Sequence, residues 1–117
     1  MEIDKQLIRG LIDLIILALL AGGDLYGYDL AKRVKTQAGG SYQLNEGTLY
    51  LAFKRLEKAG LVSSYWGEGQ VGARRKYYRL EPAGQAQLAS LSEQWRLLNQ
   101  IVGNCLAQGQ PENKGLS

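Results

Sequence analysis

Histidine is absent from this chain of 117 residues, and cysteine occurs once, as Cys105. A lone cysteine has no partner for an internal disulfide. Without histidine, a two-histidine metal site, a serine–histidine–aspartate triad and a cysteine–histidine pair are all excluded. The sequence also lacks a glycine-rich phosphate loop and a pair of carboxylates suited to a pocket. These absences predict a protein that is not an enzyme and needs no metal or cofactor.

Long hydrophobic runs are also missing. The apolar run "LIILALLA" at positions 14–21 is only 8 residues long and follows Asp13, whereas a membrane-spanning helix needs roughly 20. The N-terminus has no basic region followed by a cleavage site. We therefore expect a cytoplasmic protein with no membrane partner.

The net positive charge is small, but it is concentrated in the middle of the chain. The net charge is +3, and residues 1–40 carry five cations against five anions. Residues 41–80 carry seven cations against three anions, a local charge of +4, while residues 81–117 carry two cations against three anions. A concentrated basic segment is typical of a nucleic-acid footprint.

Hydrophobic periodicity predicts three helices in the first half of the chain. The first covers residues 5–21 and is apolar on two sides, so it must be covered twice. The second runs from about Leu25 to Gln37. The third follows Asn45, a favourable N-cap residue, and ends near Gly60. Its inward stripe consists of Leu49, Phe53 and Leu56, with Ala52 beside it.

After the third helix the period of the pattern changes to two. "LVSSYW" and "ARRKYYRL" alternate on either side of the turn sequence "GEGQVG", which predicts a β-hairpin with its tip at Gln70 to Ala73. Three helices followed by a hairpin form a winged helix, whose third helix enters the major groove of DNA. The predicted fold is mainly α with a small β-hairpin, and residues 1–81 form the DNA-binding domain.

A last helix is predicted to start at Pro82 and to run to about Gln108, followed by a flexible polar tail at 109–117. Its apolar residues recur at steps of three and four, the spacing of a heptad seam. The preceding module is too small to cover this seam, so a second copy of the chain is the simplest cover, with its first helix on the seam. At a seam position Cys105 is expected to be a buried, inert thiol rather than a redox sensor. The predicted dimer interface consists of Leu11, Leu88, Leu91, Trp95, Leu98, Ile101, Val102 and Cys105.

Three consecutive cations, Arg74, Arg75 and Lys76, open the second strand of the hairpin. Alternation places Arg74 and Lys76 on one face and Arg75 with Tyr77 on the other. The run is either a solvated charged strand or a contact to phosphate, with at most two cations of each wing on the duplex at once. Because adjacent like charges repel, we favour an anionic partner.

The third helix is expected to read the bases. Asn45 serves as an N-cap or as a contact, and Tyr50 either packs half-buried or bonds to a phosphate. The first turn favours phosphate because its backbone N–H groups are free, and an exposed Leu51 suits the methyl group of thymine. Thr48, Leu51 and Lys54 are predicted to face outward. The predicted DNA contacts are Asn45, Gly47, Thr48, Tyr50, Leu51, Lys54, Arg74, Arg75 and Lys76.

Three segments, "YGYDLAKRV", "NEGTLYLAFKRLEKAGLVSSYW" and "GARRKYYRLEPAG", together resemble the PadR family of bacterial transcriptional regulators. The resemblance implies a homodimeric repressor that binds a palindromic, double-stranded operator through its winged helix. It also implies that the C-terminal helix pairs with the first helix of the partner. Two departures are Ala73, where the family usually has a second glycine, and Glu81-Pro82, where threonine is frequent.

The short C-terminal region resembles the subgroup with a single C-terminal helix, and within it a multidrug-sensing repressor. That resemblance implies that Trp95 and its two-fold mate flank a slot for small planar aromatic compounds; plain dimer packing is the alternative role for Trp95. In this sequence Ser92 replaces an aromatic residue, which widens the slot, and Asn99 replaces a carboxylate, which lowers any preference for cations. Asp13 partly restores that preference if it faces the slot. The implied lining consists of Leu7, Asp13, Leu14, Ser92, Trp95, Asn99, Gln100 and Val102.

An alternative function stays open at the level of sequence. The chain is then a winged-helix interaction module that binds protein or RNA without a small-molecule effector. Such a module would tolerate reversal of the charge at Lys54 without a loss of DNA affinity.

Overall fold

The computed structural model describes residues 1–68 and 74–110. Within these residues five helices and a small antiparallel sheet follow one another in the predicted order, except that the first predicted helix is divided in two and a short strand is added. The predicted hairpin tip at 70–73 and most of the predicted tail lie outside the described residues. The elements are α1 (Lys5–Arg9), α2 (Ile12–Leu20), β1 (Leu25–Tyr26), α3 (Gly27–Ala38), α4 (Glu46–Lys58), β2 (Val62–Glu68), β3 (Arg74–Leu80) and α5 (Pro82–Gln108).

The single helix predicted over residues 5–21 is wrong, because the chain breaks between α1 and α2. The side chain of Asp4 caps α1 by accepting from the N–H of Gln6. At the other end of α1 the N–H of Leu11 bonds to the carbonyl of Ile8 at 2.8 Å, a tighter turn than an α-helix makes. The break falls at Gly10, which has a low helix propensity.

The start of the second predicted helix is also corrected. Leu25 and Tyr26 do not belong to α3; they form strand β1, which pairs with Tyr78 and Tyr77 of β3. The sheet therefore has three strands in the order β1-β3-β2. The two-residue strand was missed because its periodicity is too short to see and its pairing partner is about fifty residues away in sequence.

Helix α4 is held at both ends as the sequence predicts. The side-chain oxygen of Asn45 accepts from the N–H of Thr48 at 2.7 Å. At the C-terminal end Gly60 adopts a left-handed φ of 76°, and its N–H bonds to Glu57 while that of Leu61 bonds to Leu56. This pair of bonds is a Schellman motif, which turns the chain directly into β2.

The core lies between α2, α3, α4 and the inner face of the sheet. Phe53 of α4 stacks on Tyr78 of β3 with ring centroids 3.6 Å apart. This stack attaches the wing to α4. The predicted inward residues of α4 are confirmed as buried. The buried hydrophobic residues are Ile8, Ile12, Ile16, Leu17, Leu20, Leu25, Leu30, Val34, Leu44, Leu49, Ala52, Phe53, Leu56, Val62 and Tyr78.

Helix α5 begins at Pro82 and ends at Gln108, as predicted. At about 1.5 Å per residue its 27 residues span about 40 Å, and the chain extends 66 Å along its longest axis. Leu88 and Leu91 of its first half pack against the core. From Ser92 to Gln108 every residue is exposed. Within the described part of the chain, no helix has the length and hydropathy needed to cross a bilayer.

Candidate nucleic-acid interface

Helix α4 presents an exposed face with two large hydrophobic side chains. Tyr50 is 59% exposed and Leu51 is 61% exposed, although both alternate with buried residues of the same helix. Lys54 and Lys58 continue this face toward the C-terminal end. The Lys54 Nζ lies 5.5 Å from the centre of the Tyr50 ring. Exposed aromatic and aliphatic groups between cations fit a surface that contacts base edges and phosphates together.

Two of the predicted contacts on α4 are placed differently from the rest. Thr48, predicted to face outward, is half-buried at the flank of the helix. Asn45 uses its side-chain oxygen as the N-cap, so that oxygen is already engaged. Gly47 lies in the first turn and is exposed. The outward-facing surface of α4 is therefore centred on Leu51 and Lys54 rather than on Thr48.

The wing cations are each held against an aromatic ring. The guanidinium carbon of Arg74 lies 5.3 Å from the centre of the Trp66 ring, and the Lys76 Nζ lies 5.8 Å from that of Tyr78. Arg75 belongs to the other face, as predicted, with its guanidinium carbon 4.4 Å from the centre of the Tyr26 ring. Cation–π contacts of this kind hold the side chains without neutralising their charge.

A groove runs between the exposed face of α4 and the wing. Its volume is about 630 Å³, and it is lined by Tyr50, Leu51, Lys54, Arg55, Glu57, Lys58, Lys76 and Tyr78. Four of these residues are cations and one is an anion. The carboxylate of Glu57 accepts from the Ser64 hydroxyl at 3.0 Å, which joins the end of α4 to the first strand of the wing. The arrangement gives the groove a positive surface.

A second, larger groove of about 880 Å³ lies between α3 and the start of α4. It contains Tyr28, Lys32 and Lys35 of α3 beside Asn45 and Glu46. None of the three α3 residues is among the predicted contacts. The sequence could have indicated an exposed cationic face on α3, because Lys32 and Lys35 lie one helical turn apart and alternate with the buried Leu30 and Val34.

The base of the wing is attached to the loop after α2 through Asp24. Its carboxylate accepts from the Tyr65 hydroxyl at 2.6 Å and from the Arg79 Nε at 3.3 Å. The hydrogen bond to Asp24, followed by burial, raises the pKa of Tyr65 above its ordinary value. On the inner face burial raises the pKa of Tyr78, and the nearby Glu57 carboxylate adds to that shift. Both tyrosines therefore stay neutral near neutral pH.

The outer half of α5 has an uncovered apolar face. Trp95 is 42% exposed, and Leu98, Ile101 and Val102 are also exposed. Cys105 is exposed in the single chain, so the expected burial of its thiol depends on a second copy and stays a prediction. The polar residues implied for the slot, Ser92, Asn99 and Gln100, are exposed on the same half of the helix.

The remaining residues of the predicted interface and slot are divided between two environments. Leu88 and Leu91 are half-buried against the core of their own chain. Leu11 and Leu14 are half-buried, and Leu7 on α1 is 75% exposed. Asp13 is engaged within the chain, because its carboxylate accepts from the Arg55 guanidinium at 2.5 Å.

The fold is that of a winged-helix DNA-binding protein, because the wing lies beside α3 and α4 and a cationic groove separates α4 from the wing. The comparison with known families agrees with this class and makes it specific. The chain belongs to the transcriptional regulator PadR-like family, whose profile matches residues 16–90. It is therefore a DNA-binding transcriptional regulator and not an enzyme.

Solved structures of transcriptional regulators superimpose on most of the chain. A transcriptional regulator from Clostridium thermocellum is 41% identical, with 87% of this chain and 96% of that chain covered and a TM-score of 0.80. A PadR family transcription regulator from Clostridium difficile is 39% identical, with coverages of 82% and 98% and a TM-score of 0.73. An uncharacterized protein of Lysinibacillus sphaericus is 38% identical over 98 residues, 84% of this chain and 90% of its own.

Proposed function

We propose that the protein is a homodimeric repressor that binds a palindromic operator with one winged helix on each half-site. Helix α4 enters the major groove, where Leu51 and Lys54 meet base edges and Tyr50 meets the backbone. Arg74 and Lys76 of the wing contact phosphates. The observation that carries the proposal is the groove between α4 and the wing, which is lined by four cations and one carboxylate.

The uncovered half of α5 supports the dimer. Its apolar side chains recur with heptad spacing from Trp95 to Cys105, and exposing them to water in a monomer is unfavourable. A second copy of the same helix, together with α1, offers a matching apolar surface, including the exposed Leu7. In a two-fold dimer the two α4 helices would enter the major groove on the same face of the duplex. The two half-sites would then lie about 34 Å apart, or a multiple of that distance.

A planar aromatic effector is the finer part of the proposal. Trp95 is partly exposed on the face that the second copy would cover, so two such rings can flank a slot. The slot lacks the Asp13 carboxylate, which is bonded to Arg55. With Asn99 in place of a carboxylate, the slot is expected to bind neutral planar compounds better than cationic ones. Quenching of Trp95 fluorescence by neutral and cationic planar dyes tests this, with Trp95→Ala as the control for Trp66.

The DNA proposal is tested by fluorescence anisotropy with labelled duplexes from the promoter upstream of the chain's own gene. We expect a saturable complex whose affinity falls steeply between about 50 and 200 mM salt. Affinity that is absent, or constant across salt, contradicts the proposal. Loss of DNA affinity on Lys54→Glu is expected here, whereas the interaction-module alternative predicts that this variant binds DNA as the wild type does.

Two kinds of variant separate positioning contacts from reading contacts. Arg74→Ala with Lys76→Ala is expected to weaken binding to operator and scrambled duplex equally, because phosphate contacts carry no sequence information. Leu51→Ala is expected to change the preference among operator variants at one position. Sedimentation velocity at micromolar concentration tests the dimer, and a promoter–reporter fusion distinguishes repression from activation.

A further inference from the structure

Arg55 occupies an unusual place among the cations of the groove. It lines the same surface as Lys54, Lys58 and Lys76, and its side chain is 57% exposed. Its guanidinium Nη2 is nevertheless bonded to a carboxylate oxygen of Asp13, 2.5 Å away on α2. Asp13 lies 42 residues earlier in the sequence, so the pair joins two different helices at the edge of the groove.

We propose that Asp13 acts as an internal competitor for phosphate at Arg55, and so lowers the sequence-independent component of DNA binding. The inference rests on the proposed DNA contacts of α4. A carboxylate and a phosphodiester oxygen accept the same charge-assisted hydrogen bonds from a guanidinium. While Arg55 donates to Asp13, it releases no counterion from the duplex. The ligand excluded in this way is the phosphodiester backbone of duplex DNA.

The exposure of the pair makes the competition reversible. Asp13 is 34% exposed and Arg55 is more exposed still, and ion pairs in contact with water are weak. A phosphate held closely in the operator complex can therefore take Arg55 from Asp13 at small cost, whereas in the looser complex with unrelated duplex Arg55 stays with Asp13. The other two ion pairs of the described residues lack this arrangement, since Arg79 is held at the wing base with Tyr65, and Arg96 pairs within α5.

The first experiment measures binding to a scrambled duplex by the intact protein and by Asp13→Asn. Asparagine keeps the size of the side chain and removes its charge, so Arg55 becomes free to bind phosphate. At about 50 mM salt we expect the affinity to rise about three- to ten-fold. The slope of log K against log salt should become steeper by about 0.9 for each protomer bound. An unchanged or shallower slope overturns the proposal, even if the affinity changes.

A double-mutant cycle separates release of Arg55 from simple removal of a negative charge. In the Arg55→Gln background the same Asp13→Asn change should no longer steepen the slope, because no guanidinium is left to release. A slope that still steepens there assigns the effect to the general field and overturns the proposal. Asp13→Glu keeps the carboxylate and should retain the wild-type slope.

Two further measurements show why a variant fails to change the slope. They are the thermal stability of each variant and the salt dependence of binding by the wild type. Thermal unfolding of each variant shows whether the fold is kept. Tight, salt-dependent binding of the wild type with no change in Asp13→Asn rejects only the competitor role. Absence of salt-dependent binding in the wild type rejects the proposed function itself, and with it the competitor role.

Discussion

Among the glycines of residues 1–68 and 74–110, Gly84 in the first turn of α5 has the least room for a side chain. A Cβ added there would lie 2.0 Å from the carbonyl oxygen of Leu61 and 2.6 Å from Cδ1 of Leu80. Gly84 is also the buried residue of α5. The close approach brings the start of α5 directly against the entry to the wing, where the N–H of Glu81 also bonds to the Leu61 carbonyl at 3.0 Å.

The expected cost of Gly84→Ala follows from the atom that the new methyl group meets. Real Cβ atoms do not approach other heavy atoms more closely than 3.0 Å, so the backbone at Leu61 must move by about an ångström. Overpacking of this kind costs about 1 to 3 kcal/mol, and the gain in helix propensity offsets less than 1 kcal/mol of it. We expect a loss of about 2 kcal/mol, or about 8 °C in Tm for a domain of this size.

The same helix offers a matched control in Gly103, which has nothing within 4 Å of an added Cβ. Gly103→Ala is expected to raise stability by up to about 1 kcal/mol, because alanine is the better helix former. Urea unfolding followed by circular dichroism, at one protein concentration for all variants, measures both changes. Equal midpoints for Gly84→Ala and the wild type would refute the contact between α5 and the wing base.

Three further predictions concern the ends of helices and the base of the wing. Asn45→Ala is expected to cost about 1 kcal/mol in urea unfolding, since the first N–H groups of α4 lose their acceptor, and Asn45→Asp should restore it. Gly60→Ala should cost about 1 kcal/mol because of the left-handed φ, whereas Gly10→Ala, at a φ of −70°, should cost nothing. The raised pKa of Tyr65 makes its bond to Asp24 fully stabilising below about pH 10 and lost as the pH rises through the folded-state pKa. Between about pH 8 and 11 the Tm should therefore fall more steeply with pH for the wild type than for Tyr65→Phe. Parallel curves of Tm against pH would contradict this assignment.

Local features of the sequence were sufficient to predict most of the fold. The N-cap at Asn45, the start of α5 at Pro82 and the change of period after Gly60 each depend on neighbouring residues only. The alternation of Arg74, Arg75 and Lys76 likewise follows from the geometry of one strand. Such features are visible in a single sequence because their physical causes lie within a few residues of one another.

Features that depend on distant partners were missed. Nothing near Asp13 in the sequence indicates that its carboxylate bonds to Arg55, and the resemblance considered it only for a role in the slot. Strand β1 depends in the same way on Tyr77 and Tyr78 of β3. In both cases the deciding contact joins residues more than forty positions apart.

The seam of α5 shows why the position of a pattern matters as much as its spacing. Its apolar residues recur with one period from Leu88 to Cys105, which suggests one continuous surface that packs against one partner. The structure divides that surface, because Leu88 and Leu91 pack on the core of their own chain while Trp95 and the residues beyond it are uncovered. One face of α5 thus serves two purposes. Its first turns fix the helix to the winged helix, and its outer turns are uncovered in the single chain, which is the surface that the proposed second copy would cover.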